Sequence, residues 1–253
     1  MRMPSLPAAL YAAVLCLGGP LVGETLASTF NVSPTQVYLT GRDASALLTL
    51  RNDSDQPLRF QMSAFGWDQQ RSGEMALTPT SDVVFFPALL TLGPREERKI
   101  RVGRVVGAGD AERTYRLFVE ELPSLEALSG NPGEVKVLTR MGIPIFVRPL
   151  KETVAATIAT VEHVDGALTF TLANSGTVHF VPTSIVVRGV ADGRQVFEGQ
   201  LQAWYILAGG RRDFAYQLPR PDCTRATALQ VEVVYGSSKI DRRLDIPAGA
   251  CTQ

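Results

Sequence analysis

The sequence predicts an all-β protein: two immunoglobulin-like β-sandwich domains in tandem. Three observations carry this. Apolar and polar residues alternate with period 2 in short runs separated by Gly, Pro, Asn and Asp. No stretch shows a convincing apolar stripe at helical spacing. The two halves also carry similar local sequences in the same order. Leu50-Arg51-Asn52-Asp53-Ser54 is echoed by Leu172-Ala173-Asn174-Ser175-Gly176, and Leu92-Gly93-Pro94-Arg95 by Leu207-Ala208-Gly209-Gly210-Arg211.

The N-terminus is read as an export signal over residues 1–27. Arg2 gives a positive start, residues 10–17 (LYAAVLCL) are apolar, and Gly18, Gly19 and Pro20 end the run. Thr25-Leu26-Ala27 then offers small residues for cleavage after Ala27. The apolar run is well short of the ~20 residues needed to span a bilayer, and no later stretch reaches that length, so no membrane insertion is expected. Leu15 before Cys16 is too bulky for a lipoprotein signal.

The first domain is expected over residues 28–149. Its strands are predicted around Val32 to Leu39, Ala46 to Leu50, Leu58 to Phe65, Val83 to Phe86, Glu97 to Val102, Thr114 to Glu121, and residues 135–147. Only residues 125–129 offer a helical turn. Proline and charge replace the strand pattern at Arg148-Pro149-Leu150-Lys151-Glu152, the expected connection. The second domain, residues 150–253, repeats strand patterns at residues 154–161, 168–172, 184–190, 195–201, 212–218, 229–234 and 242–246.

The segment 135–147 (VKVLTRMGIPIFV) stands apart. Val135, Val137, Thr139, Met141, Ile143, Ile145 and Val147 share one face by parity. One strand of this length would span roughly 43 Å, about twice the usual. A long apolar edge invites pairing with another chain; the alternative is two short strands broken at Pro144.

Composition narrows the chemistry. Lys plus Arg number 25, as do Asp plus Glu, giving zero net charge and no standing positive field for nucleic acid. Two His and three Cys, widely scattered, supply no usual zinc ligand set, and no metal or cofactor is expected. There is no G-x-S-x-G and no phosphate loop. His163 and His179 are read as surface or strand-edge residues, and Glu96-Glu97 and Glu120-Glu121 as solvated or structural carboxylates. Nothing supports an enzyme. In an oxidising compartment Cys223 and Cys251 are expected to form a disulfide, with two free thiols as the alternative.

A set of motifs then occurs in order: Phe30-Asn31-Val32-Ser33-Pro34-Thr35, Leu50-Arg51-Asn52, Trp67, Phe86-Pro87, Leu92-Gly93-Pro94, Ile100-Arg101-Val102, Thr114-Tyr115-Arg116-Leu117, Glu121-Leu122-Pro123 and Ile143-Pro144-Ile145-Phe146-Val147-Arg148-Pro149. The set resembles the periplasmic pilus-assembly chaperones of the chaperone–usher pathway, in their archaic or spore-coat-like branch. The resemblance spans the first domain and, more loosely, the second. It implies a periplasmic chaperone that completes pilin-type subunits by donor-strand complementation and delivers them to an outer-membrane usher. The alternative is a secreted structural or adhesive protein of tandem immunoglobulin-like domains.

By position, the resemblance makes Val135, Val137, Thr139 and Met141 the subunit-binding strand. The better-known members hold the subunit's terminal carboxylate with basic residues at positions that read Gln36 and Pro144 here. Arg116 and Arg140 are the replacement anchors expected, with a structural role for Arg116 as the alternative. Glu112 and Arg148 match two members of the family's inter-domain ion network, and its third acid, near Tyr235-Gly236, reads Val234.

Overall fold

A computed structural model describes residues 29–123 and 137–247. The signal segment, the helical turn at 125–129, Val135 and Cys251 lie outside the described residues. The first sandwich packs two sheets. One has the order β1 (Phe30–Ser33), β3 (Ser45–Asn52), β8 (Glu97–Arg104), β6 (Val83–Phe86). The other runs β2 (Val37–Leu39), β10 (Arg140–Val147), β9 (Arg113–Leu122), β4 (Leu58–Gln69), β5 (Met75–Pro79), with β7 (Leu89–Leu92) also on β4. Between β1 and β2 the chain crosses from one sheet to the other, and there the Ser33–Pro34 peptide is cis. Alternation buries Leu48, Leu50, Phe60, Ile100, Leu117, Ile143 and Ile145 between the sheets.

The second sandwich packs β11 (Ala156–Val164), β12 (Ala167–Asn174) and β15 (Arg211–Gln217) against β14 (Arg194–Leu201), β13 (Pro182–Ala191), β16 (Ala228–Tyr235) and β17 (Ser238–Asp245). Leu168, Leu172, Val187, Ile206 and Val231 fill its core. Asp165-Gly166 and Asp192-Gly193, all at positive φ, close two of its hairpins. A single helical turn, α1 (Arg220–Cys223), sits before β16 and was not expected from the sequence. It is one turn around Pro221 and buries only Cys223, too short to show a period.

The sequence echoes are structurally equivalent. Asn52 is fully buried, its Nδ2 donating to the carbonyls of Gln56 (2.7 Å), Leu92 (3.3 Å) and Gly93 (2.9 Å). Asn174, equally buried, donates to Val178 O (2.9 Å) and Ile206 O (3.0 Å), while its Oδ1 accepts the Gly176 N–H (2.8 Å). In each half a buried amide side chain pins a strand end to the following glycine turn. An Asn174→Leu variant strands two carbonyls and an N–H, so its unfolding free energy is expected to fall by about 2–3 kcal/mol, read as a lower urea midpoint. An unchanged midpoint would show that water replaces these bonds.

Candidate functional site

β10 decides where the molecule can pair with another chain. It is antiparallel to β9, with Arg140 opposite Glu120, Ile143 opposite Leu117 and Pro144 opposite Arg116. On its other side β2 covers only Ile145 to Val147. Among the described residues the edge from Arg140 to Pro144 has no strand partner. Pro144 does not break the strand, which tolerates a proline in its edge half.

The expected strand over 135–147 is therefore corrected. Regular strand begins at Arg140. From Ile143 onward the odd-numbered face belongs to the protein's own core, with Ile143, Ile145 and Val147 at most 1% exposed. The apolar run was long because two jobs are joined in it. Met141 packs on the core margin, Thr139 is exposed with its carbonyl accepting the Glu121 N–H (3.0 Å), and Val137 is 63% exposed.

The even-numbered residues of β9 and β10 face away from the core, toward the second sandwich at one end. Arg116 lies there, 3% exposed. Its guanidinium carbon is 3.9 Å from the Trp67 ring, 4.5 Å from Trp204 and 5.9 Å from Tyr205. The three rings touch one another at centroid distances of 5.0 to 5.8 Å, so the cation rests on an aromatic platform drawn from both sandwiches. Nη1 donates to Gly142 O (3.3 Å), on the open edge. Nε and Nη2 are buried with no hydrogen-bond partner among the described residues. Burial pushes the guanidinium down to about 10, which still leaves it charged at neutral pH.

The structure does not bring Arg140 to the same place. It lies four residues along the strand, roughly 13 Å away, half-exposed, 3.7 Å from Glu120 and 3.9 Å over the Phe118 ring. Gly142 makes room for that ring, since a Cβ there would come within 2.9 Å of it. Gln36 and Pro144, the positions of the family's usual anchors, both border the Arg116 pocket. Pro144 is Arg116's register partner, and Gln36 accepts from Tyr38 Oη (2.7 Å) and hydrogen-bonds Tyr205. Burial raises the Tyr205 phenol against that bond.

A second polar centre sits beside the platform. The Glu112 side chain is fully buried, with Oε2 accepting the His179 N–H (2.9 Å) and lying 2.5 Å from His179 Nδ1. Its Oε1 is 3.5 Å from Arg148 Nε, and Arg148 also pairs with Glu152 (2.8 Å). His179 is not a surface residue: it is stacked 3.9 Å from Phe146 inside the contact between sandwiches. Val234 contributes no acid, and the second sandwich's partner for Glu112 is His179. Trp204 and Tyr205 carry no sequence motif and were not anticipated. A Trp-Tyr pair outside the alternating strands was the one available signal.

Among the described residues no three His, Cys, Asp or Glu gather to hold a metal ion, and no helix is long and apolar enough to cross a membrane. Among the described residues the uncovered edge of β10 therefore ends beside a buried cation, Arg116, two of whose donors have no partner there. Residues 29–152 match the family described as pili and flagellar-assembly chaperone, PapD N-terminal domain.

Solved structures share the two-sandwich fold. A chain of the CsuC–CsuE chaperone–tip adhesion subunit complex, from the archaic chaperone–usher Csu pili of Acinetobacter baumannii, is 18% identical with a TM-score of 0.60, covering 85% of this chain and 98% of its own. The E. coli chaperone DraB is 19% identical with a TM-score of 0.51, covering 85% and 98%. A chain of the Salmonella enterica SafA pilin–SafB chaperone complex is 13% identical with a TM-score of 0.50, covering 86% and 97%. At these identities the likeness is one of fold. No curated protein matches the sequence significantly.

Proposed function

We propose that this protein is a periplasmic pilus-assembly chaperone that captures pilin-type subunits by strand addition along the open edge of β10 and hands them to an outer-membrane usher. The observation that carries this is Arg116, a buried cation whose Nε and Nη2 have no partner among the described residues, at the inner end of a strand edge that is likewise unpaired among them. A subunit strand laid along Arg140 to Pro144 would bring its terminal carboxylate beside Arg116, and displacing the cover over the guanidinium would let the carboxylate reach those donors in a charge-assisted pairing. Val135, Val137 and Met141 would supply the apolar side chains that enter the subunit, Val137 being already exposed. Arg116 takes the anchor role in this reading, and Arg140 lines the outer part of the edge. The reading includes a signal peptide over 1–27, domains over 28–149 and 150–253, and a Cys223–Cys251 disulfide; Cys223 itself is buried.

The test is co-expression with a pilin-type subunit. Wild type is expected to copurify one-to-one and to remain monomeric alone. Fibres built from the chain itself would favour the structural-protein alternative. The double variant Val135→Asp, Val137→Asp should keep the wild-type melting temperature and lose the complex, because each carboxylate buried in the subunit costs several kcal/mol. A variant that still protects its subunit would remove the strand-donation mechanism.

A further inference from the structure

The platform under Arg116 exists only while Trp204 and Tyr205 of the second sandwich stay against Trp67 of the first. A separate contact lies on the far side of that platform. The turn between β4 and β5, residues 70–74, leaves the first sandwich and lies along β15, whose other neighbour is β12. There the Asp213 N–H donates to Arg71 O (2.8 Å), so the turn caps the free edge of β15. Arg71 grips Asp213 in the fork geometry, Nε to Oδ2 at 2.9 Å and Nη2 to Oδ1 at 3.0 Å. Thr171 orients the same carboxylate by donating to Oδ1 (2.6 Å). These bonds hold Asp213 below its usual range.

Two further details tie the turn to the site. Gln69 Nε2 donates to the main-chain carbonyl of Tyr205 (2.8 Å), a direct link to the platform. Gly73, at φ +93°, lets the Arg212 side chain lie against the turn; a Cβ there would meet it at 2.5 Å. Nothing in carboxylate binding by Arg116 requires these residues chemically. Their common effect is to fix where residues 204 and 205 stand.

We infer that the β4–β5 turn is a clasp, Gln69 and Arg71 of one sandwich on Tyr205 and Asp213 of the other, that positions the second-sandwich aromatics on Arg116 and so makes carboxylate recognition depend on both domains. This rests on the reading of Arg116 as the anchor. Gln69, Arg71 and Asp213 are positioning residues that touch no subunit. An exposed ion pair by itself contributes little to stability, so the clasp should matter for discrimination more than for folding.

The probe is a synthetic strand peptide of alternating valine and threonine, made with a free terminal carboxylate and as its terminal amide. Both tryptophans of the chain lie in the platform, so intrinsic fluorescence reports binding and platform geometry together. Wild type should bind the carboxylate form at least tenfold more tightly. Arg71→Glu and Asp213→Arg should each keep the melting temperature within about 3 °C, shift the tryptophan emission and reduce that preference to about twofold or less. Combining the two, which restores the pair in reverse, should restore both readouts, and Gln69→Ala should reduce the preference on its own. Full preference in the single variants, or no recovery in the combined one, would overturn the clasp. Equal binding of both peptides by wild type would overturn the anchor reading itself.

Discussion

Replacing Arg116 by Met is expected to abolish subunit capture and to leave the fold at least as stable as wild type. The two effects separate because the cation is held in the free protein at a cost. Burial holds its pKa in the folded chain at about 10, below the ordinary arginine value. The unfolded chain therefore holds the proton more tightly, and stability rises with pH only between those values. At every pH below about 10 the charge works against folding, and Met keeps the packing on Trp67 without it. Capture, by contrast, loses a desolvated charge pair worth ~2–5 kcal/mol, about 30-fold or more in affinity. Arg116→Lys should fall between, since a point charge cannot reproduce the two-pronged donor. Copurification and a urea titration read both effects. An unfolded Met variant with lost capture would return Arg116 to a purely structural role.

The second large effect is at Glu112. A Glu112→Leu variant leaves the Arg148 guanidinium with only Glu152, and strips the His179 N–H and ring of their acceptor. Breaking a buried ionic centre from one side typically costs ~3–5 kcal/mol. The unfolding midpoint should drop accordingly, and the two sandwiches should unfold as separate transitions, because Glu112 and His179 lie on opposite sides of their contact. Glu112→Gln keeps an acceptor for the His179 N–H and should lose less. A single transition at the wild-type midpoint would show that the hydrophobic cluster of Trp67, Phe146, Tyr205 and Leu207 holds the sandwiches together alone.

What could be read beforehand follows from which interactions leave a period. Strands that bury one face, such as β3, β4 and β8, alternate in sequence and lie where expected. β5 does not: Met75–Pro79 is exposed nearly throughout and is held only by its main-chain ladder with β4, which no side-chain pattern records. β7, Leu89–Leu92, was hidden by its nearness to Pro87 and the Gly93 turn. Within the site, Arg116 was singled out together with Arg140 only as a cation where strand addition would begin, since the family's own anchor positions read Gln36 and Pro144. Its aromatic surroundings left no period, because Trp67 and Tyr205 meet across more than a hundred residues of chain. Contacts between domains carry no local spacing.

Amide hydrogen exchange on the protein alone, and in complex with the pilin-type subunit it copurifies with, addresses strand addition most directly. Residues 137–144 should exchange rapidly in the free protein wherever their N–H groups face the open edge, and become strongly protected in the complex. β1, at the edge of the opposite sheet, should not change. Protection confined to the outer sheet of β1, β3, β8 and β6, with residues 137–144 unaltered, would contradict donation of β10 and place the subunit elsewhere.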